Sequence, residues 1–309
     1  MKSKPAHIKA VKAALWYFNR ITGDWLTPDI NFLFNFRRAH GYWPALRRPR
    51  SFSERVLWLM RNDRNGLRRA FADKVTVRSY VAEKAPGLRL PQVYAVCERA
   101  EDIPFDTLPD RFVVKGAHGS GFVEIVRDKV SIDQSALMNL CRSWLSHDFY
   151  YDCLEWCYWR LQPRLIVEEL LSDGINEVPP DYKIFVSEGK ARLIQVDMGR
   201  FNNHRRNMYT PDWELLPFDY KRTRGEQLAR PRHLARMVQH AEQLGQDVSF
   251  VRVDLYVIGD DIYFGELTNF PGGGLDRFHQ TEWDYGIGEL MGDFTGTDAA
   301  DEATDAAPP

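Results

Sequence analysis

The chain has 309 residues, 44% of them hydrophobic and 27% charged, a globular composition with length for one large domain or two medium ones. No apolar run approaches the ~20 residues of a membrane-spanning helix. Lys plus Arg at 41 against Asp plus Glu at 43 gives a net charge of -2, which argues against a nucleic-acid protein. The total conceals a split. Residues 1–70 hold 15 Lys/Arg against 4 Asp/Glu, and the rest of the chain holds 26 against 39. A sign change of that size points to an anionic partner for the first segment.

The opening stretch, MKSKPAHIKAVKAALWYFNR, is basic, and its apolar part from Ala13 to Phe18 is too short for a signal-peptide core. The expectation is a cytoplasmic protein. Residues 1–70 read as an aromatic-rich helical segment, with Ser51 to Glu54 forming a capping box before RVLWLMRN. Residues 73–84, DKVTVRSYVAEK, place Val77, Tyr80 and Val81 on one helical face, and Pro86-Gly87 ends that helix.

From residue 111 the period becomes two. Arg111–Lys115 and Phe122–Val126 are short strands around GAHGSG, and residues 133–146 return to a helix. Leu165 to Leu171 is an apolar strand, and residues 181–198 form a hairpin turning at Glu188-Gly189. A helix covers 231–244, and a second hairpin, SFVRVDLYVI to IYFGELT, turns at Gly259-Asp260-Asp261. Residues 292–309 read as a disordered acidic tail. Tight turns between charged strands, interleaved with helices, predict an α+β enzyme with antiparallel sheets. Cys97, Cys141, Cys153 and Cys157 form no C-x-x-C pair, so reduced thiols are expected instead of zinc or a disulfide scaffold.

Four places concentrate chemistry. In FVVKGAHGSGF, Lys115 precedes Gly116, Gly119 and Gly121, which free the backbone to present N–H groups to a polyanion, with Ser120 as a further donor. A surface lysine beside a flexible turn is an equal reading of this motif alone. The Walker A pattern and the nucleophile elbow are both absent, and the lysine-before-loop order is the reverse of a protein kinase. In LIVEELL, Glu168 and Glu169 sit inside an apolar strand, and at least one needs a partner or an exposed face.

In VRVDLY to IYFGELTNFPGG, Arg252 and Asp254 share one sheet face and Glu266 lies on the partner strand. Two such carboxylates can converge on a hard cation such as Mg²⁺, and a cross-strand Arg–carboxylate pair accounts for only one of them. In DYKIFV to QVDMGRFNNHRRNMY, Asp181 and Lys183 share a face, and Arg200, His204, Arg205 and Arg206 crowd seven residues. That cluster reads either as phosphate or carboxylate recognition or as a solvated basic loop.

The order matters more than any one motif. Lys then a Gly loop, then LIVEELL, then D-x-K, then R-x-D to E-x-T-N-x-P-G resembles the ATP-grasp superfamily. The fuller wording DKVTVRSYV, DIPFDTLPDRFVVKGAHGSG, DYKIFV, IQVD and VRVDLY to IYFGELT is similar to its TupA-like branch, which is associated with teichuronopeptide and other surface-polysaccharide synthesis. The similarity covers roughly residues 70–290.

The resemblance implies an ATP-grasp fold in which two α+β lobes grip ATP. It divides the chain into a basic N-terminal segment at 1–70, a first lobe at 71–164, a second at 165–291 and the tail at 292–309. It further implies that Lys115 and Lys183 neutralise ATP phosphates while Gly116, His118, Gly119, Ser120 and Gly121 close over them. Glu168, Glu169 and the backbone near Leu171 would hold adenine, and Asp181 the ribose. Asp254 and Glu266 would bind Mg²⁺. Arg252, with one of Arg200 and Arg205, would face the transferring phosphoryl group or the carbonyl oxyanion. Many ATP-grasp enzymes end this signature E-x-N, whereas here that position is Thr268, so Asn269 completes the metal site only if the strand breaks before Pro271.

The implied activity is ATP-dependent carboxylate–amine ligation through an acyl phosphate. The acid would be a uronic-acid carboxylate of a surface glycan or its precursor, and the amine an amino acid or similar compound. A glycosyltransferase and a nucleotide-binding protein without turnover are the alternatives, and the first lacks a D-x-D triplet. The basic segment is expected to meet an anionic glycan, a lipid pyrophosphate or the inner membrane face through Trp16, Trp25 and Trp43, or else to be a solvated helical cap.

Overall fold

The computed structural model describes residues 14, 16–22, 28–172, 181–199 and 204–296. The chain divides into two compact units. One comprises Met1–Asn35, Ala72–Val75 and Val93–Leu170, and the other Phe36–Phe71, Thr76–Gln92 and Leu171–Pro309.

Residues 14 and 16–22 are helical, and then come α1 (Pro28–His40), α2 (Phe52–Asn62), α3 (Leu67–Ala72) and α4 (Val77–Lys84). The first unit then contains strands β1 (Val93–Cys97), β2 (Phe112–Gly116) and β3 (Val123–Val126), helices α5 (Gln134–Leu145) and α6 (Tyr150–Cys153), and strand β4 (Leu165–Glu169). Its sheet runs β1-β4-β2-β3, and every neighbouring pair is antiparallel. Alternate residues Phe112, Val114, Leu165 and Val167 bury one face against Leu137, Cys141 and Trp144 of α5. The Asp133 side chain starts α5 by accepting from the Ala136 backbone N–H at 2.9 Å.

β4 pairs with both β1 and β2, so it belongs with the glycine loop and the division falls after Leu170. The expected boundary before residue 165 is corrected accordingly. A continuous apolar run does not reveal which sheet it joins.

The second unit contains β5 (Asp181–Ser187), β6 (Lys190–Met198), β7 (Arg205–Tyr209), α7 (Leu234–Gly245), β8 (Phe250–Ile258), β9 (Asp261–Thr268) and α8 (Thr281–Met291). Its antiparallel sheet runs β7-β6-β5-β8-β9. One face of its central strands is apolar. Ile184, Val186, Ile194, Val196, Val251, Val253 and Leu255 pack against Val77, Tyr80 and Val81 of α4 and Leu234, Met237, Ala241 and Leu244 of α7.

The other face changes character along its length. At one end Phe185 and Phe250 meet Phe52 of α2, each with ring centroids 5.8 Å from it. The capping box starts that helix: Ser51 Oγ accepts from the Glu54 N–H at 3.2 Å, and Glu54 Oε2 accepts from the Ser51 N–H at 3.1 Å. Gly288 of α8 lies so close that a Cβ there would stand 2.1 Å from the Arg50 carbonyl oxygen, which reserves the position for glycine. Residues 52–62 are therefore core of this unit, and the expected separate segment at 1–70 does not hold as one piece. Toward the other end the same sheet face is charged.

Candidate ATP-binding and phosphoryl-transfer residues

In the first unit Lys115 and Glu168 lie on adjacent strands, one register step apart, because Val113 pairs with Glu168 and Lys115 with Ile166. The Lys115 ammonium is hydrogen-bonded to Glu168 Oε1. Glu168 is buried while Lys115 keeps 28% of its side chain open. Burial of the acid is thus matched by a cation that still reaches solvent. Glu169, next along β4, is half-buried beside Tyr94, whose phenol is pushed up first by burial and then by that carboxylate.

The loop after β2 is closed by the Gly116 N–H donating to the Phe122 carbonyl at 3.0 Å. Phe122 folds back over it. A Cβ at Gly119 would stand 2.6 Å from the Phe122 ring, and Gly121 adopts a φ of +78°. Ser120 and Gly121 are exposed at the tip. His118 departs from the expected phosphate cover. It is buried, its Nε2 lies 3.0 Å from the Trp144 carbonyl oxygen, and burial pushes its imidazole below the usual range. It holds the loop to the end of α5.

Two residues not singled out in the sequence hold the loop from below. The Lys74 N–H donates to the Ala117 carbonyl at 3.1 Å, and its ammonium donates to the Gly119 carbonyl. Asp73 Oδ2 accepts from Arg164 Nη2 at 2.6 Å, and the Arg164 carbonyl accepts from the Ala117 N–H at 2.8 Å. The DK of DKVTVRSYV, read as a helix start and as part of the family resemblance but given no role of its own, is the signal for this support.

In the second unit the strand register lines up a polar row. Gln195, Lys183, Asp254 and Glu266 are successive partners across β6, β5, β8 and β9. Two residues away on the same face, Arg206, Asp197 and Asp181 form a second row across β7, β6 and β5. The Lys183 ammonium lies 2.6 Å from Asp181 Oδ2 and is hydrogen-bonded to Asp254 Oδ2. Arg252 donates to both oxygens of Asp254, at 2.7 and 2.8 Å, and to Glu266 Oε1 at 3.1 Å. Burial opposes charge on Arg252, but Asp254 and then Glu266 overcome it and hold the guanidinium pKa above its usual range.

Asp197 accepts from Arg206 at 2.7 and 3.2 Å and from Gln195 at 2.9 Å, and His204 Nε2 stands 3.2 Å from it. Burial raises its carboxyl pKa, and Arg206 more than offsets that, leaving it below the ordinary value. Arg206 also lies over the Tyr220 ring at 5.5 Å. Sequence reasoning nominated Arg205, but Arg205 pairs with Met198 and so faces the opposite side, bonding Thr223. Strand alternation assigns the site face to Arg206. That could have been read had residues 205–209 been recognised as a strand. Arg200 lies outside the described residues, and Leu171 is half-buried beyond the end of β4.

Asp254 and Glu266 supply the hard oxygen donors that Mg²⁺ prefers, and Glu266 is half open. Asn269 does not join them. Its Nδ2 donates to the Arg68 carbonyl at 2.7 Å in the interior, while Thr268 Oγ1 donates to Glu266 Oε1 at 3.0 Å. Pairing persists through Thr268, so the strand does not break early enough to turn Asn269 onto the charged face. Among the described residues no group of three or more His, Cys, Asp or Glu is placed to hold a metal, so a cation here would have two protein carboxylates. Asp181 is buried and paired with Lys183, which removes it from the expected ribose contact and makes it a support for that lysine.

The family model described as TupA-like ATP-grasp matches residues 54–292. A search of curated proteins found no match. Among solved structures, the D-alanine–D-alanine ligase of Bacillus anthracis is 18% identical over 76% of this chain and 70% of that one, with a TM-score of 0.47. The same ligase complexed with ATP is 17% identical over 65% of this chain and 54% of that one, with a TM-score of 0.41. The chain therefore spans about half the length of that complexed ligase. The D-alanine–D-alanine ligase of Helicobacter pylori is 16% identical over 74% and 59% of the two chains, with a TM-score of 0.39.

Proposed function

The chain belongs to the TupA-like ATP-grasp family, and from that premise we propose that it is an ATP-dependent carboxylate–amine ligase that works through an acyl phosphate. The observation that carries the reading is the Lys183–Asp254–Glu266 row with Arg252 bridging its two acids. Phosphoryl transfer needs positioning and charge neutralisation more than a protein nucleophile, and this row concentrates both signs of charge on one rigid sheet face.

In the first unit the phosphate-binding elements are Lys115 and the backbone of residues 116–121, and in the second unit Lys183. Asp181 holds Lys183 in place. Asp254 and Glu266 hold Mg²⁺, which supplies further neutralisation of phosphate charge. Lys183 and Arg252 are hydrogen-bonded to Asp254, and Arg252 also to Glu266, so both cations stand beside the carboxylates assigned to the metal. Arg252 and Arg206 are the cations for the transferring phosphoryl group and the carbonyl oxyanion.

The reaction balances simply. A substrate carboxylate oxygen attacks the γ-phosphorus and ADP leaves. An amine nitrogen then attacks the acyl carbon, phosphate leaves, and the amine proton passes to solvent. The acid is a uronic-acid carboxylate of a surface glycan or its precursor, and the amine is an amino acid or a related compound. This substrate assignment rests on the family's association with surface-polysaccharide synthesis. The test is nucleotide release with Mg-ATP, sugar acids crossed with amino acids. ADP and phosphate appearing only when both co-substrates are present supports the reading, and AMP release overturns the acyl-phosphate route.

A further inference from the structure

Residues 14 and 16–22 are helical, and their two sides differ. On one side Trp16 Nε1 donates to the Asp148 carbonyl at 3.0 Å, and Asn19 Nδ2 donates to the Tyr151 carbonyl at 2.8 Å. The Trp16 ring also lies 5.3 Å from His147, and His147 in turn meets Phe122 above the glycine loop at 5.7 Å. The helix is thus fixed to the first unit through one edge.

The other side carries Ala14, Tyr17, Phe18 and Ile21, a helical i, i+3, i+4, i+7 stripe. All four are exposed, with Tyr17 at 61%, Phe18 at 50% and Ile21 at 71%. A helix ordinarily buries such a stripe. This one packs the half-buried, polar-tipped Trp16 and Asn19 against the unit and turns its apolar stripe outward. Charge identifies what covers it. Residues 1–23 contain Lys2, Lys4, Lys9, Lys12 and Arg20 and no acid at all. An aromatic apolar stripe on a segment that is otherwise only basic is the composition of a helix lying in an anionic lipid interface. Among the described residues no helix is long and apolar enough to cross a membrane, so the contact is parallel to the surface.

We propose that Tyr17, Phe18 and Ile21, with the lysines before them, seat the chain on an anionic lipid surface, on the same unit that carries the glycine loop. This does not depend on the ligase reading. The test is sedimentation of the full chain with vesicles of phosphatidylcholine alone and of phosphatidylcholine mixed with phosphatidylglycerol. Binding is expected only to the mixed vesicles and should weaken as salt rises.

Replacing Tyr17, Phe18 and Ile21 together by serine should reduce binding at least about tenfold with an unchanged melting temperature, since all three are exposed. Each Lys→Gln change at Lys2, Lys4, Lys9 or Lys12 should reduce it about fivefold. Equal binding to both vesicle types, or wild-type binding by the triple variant, overturns the proposal. So does a triple variant that turns a dimer into a monomer while still binding vesicles, since a second copy then covers the stripe. ADP release with soluble substrates is measured alongside and reports on the ligase reading separately.

Discussion

Asp254 and Glu266 are register partners on adjacent strands, yet the Asp254 side chain is 2% exposed and the Glu266 side chain 49%. One carboxylate is locked among cations and the other is presented to solvent. Substituting each therefore tests a different property. Glu266→Gln keeps the shape and still accepts from Thr268 and Arg252, so stability should stay within about 0.5 kcal/mol of wild type. Turnover should fall by about 100-fold or more, because one of the two carboxylates proposed to hold the cation becomes a neutral amide. ADP release over a Mg²⁺ titration checks this, and unchanged turnover removes Glu266 from the site.

Lys183 is the opposite case. Its ammonium is buried between Asp181 and Asp254. Lys183→Met leaves Asp181 buried without its cation, and a loss of about 3–5 kcal/mol is expected. Adding Asp181→Asn to that variant should recover part of the loss, since an uncharged amide needs no counter-ion. Thermal or urea unfolding of the single and double variants provides the measurement. Additive losses would mean that the two residues do not form the unit the 2.6 Å contact describes.

The second unit was legible in the sequence because its strands alternate. In DYKIFV and VRVDLY the charged residues fall two apart and the apolar ones between them, so the face each takes followed from spacing, whereas the pairing of these two strands did not. Three things were not legible. β1, VYAVC, is half-exposed over most of its length and carries no alternation to read. β7 begins RRN, which composition assigns to a loop until its pairing with β6 is seen. Arg206 is placed by pairing of β7 with β6, which sets it beside Asp197, and Asn269 by the Arg68 carbonyl, far from it in sequence. Motif order identified the family where single motifs were weak, and it nominated Lys115, Lys183, Asp254 and Glu266 as candidate site residues. It could not show that Asp181 is buried against Lys183, because period two gives a residue's face and not its exposure.

His118 gives the molecule an acid limit. Burial holds its imidazole below the usual value of 6.5; hydrogen bonds to the Trp144 and Arg164 backbone oppose it without overcoming it, and Lys74 and Asp73 act more weakly in opposite senses. The unfolded chain therefore takes up a proton at a higher pH than the folded one. Stability from this group is present above 6.5 and is lost as pH falls from there through the depressed folded value. His118→Gln should flatten that part of the profile. Melting temperature against pH for the two proteins tests it, and parallel profiles would assign the slope elsewhere.

Lys74 and Gly119 fix the glycine loop together. The lysine ammonium donates to the Gly119 carbonyl, and Phe122 and Phe149 crowd its Cα, leaving 2.6 and 3.0 Å to a Cβ. Lys74→Met removes a charged hydrogen bond worth about 1.5–3 kcal/mol to the loop's geometry, and with it a rise in KM for ATP of at least about tenfold. Because Lys74 acts through the loop, kcat at saturating ATP should change far less. Gly119→Ala pushes Phe122 aside at about 1–3 kcal/mol of strain, so it should lower the melting temperature as well as raise KM. Lys74→Arg restores a cation at nearly the same reach and should recover part of the ATP affinity. If Lys74→Met instead lowers kcat and leaves KM unchanged, the lysine touches the reacting groups and does not merely position the loop.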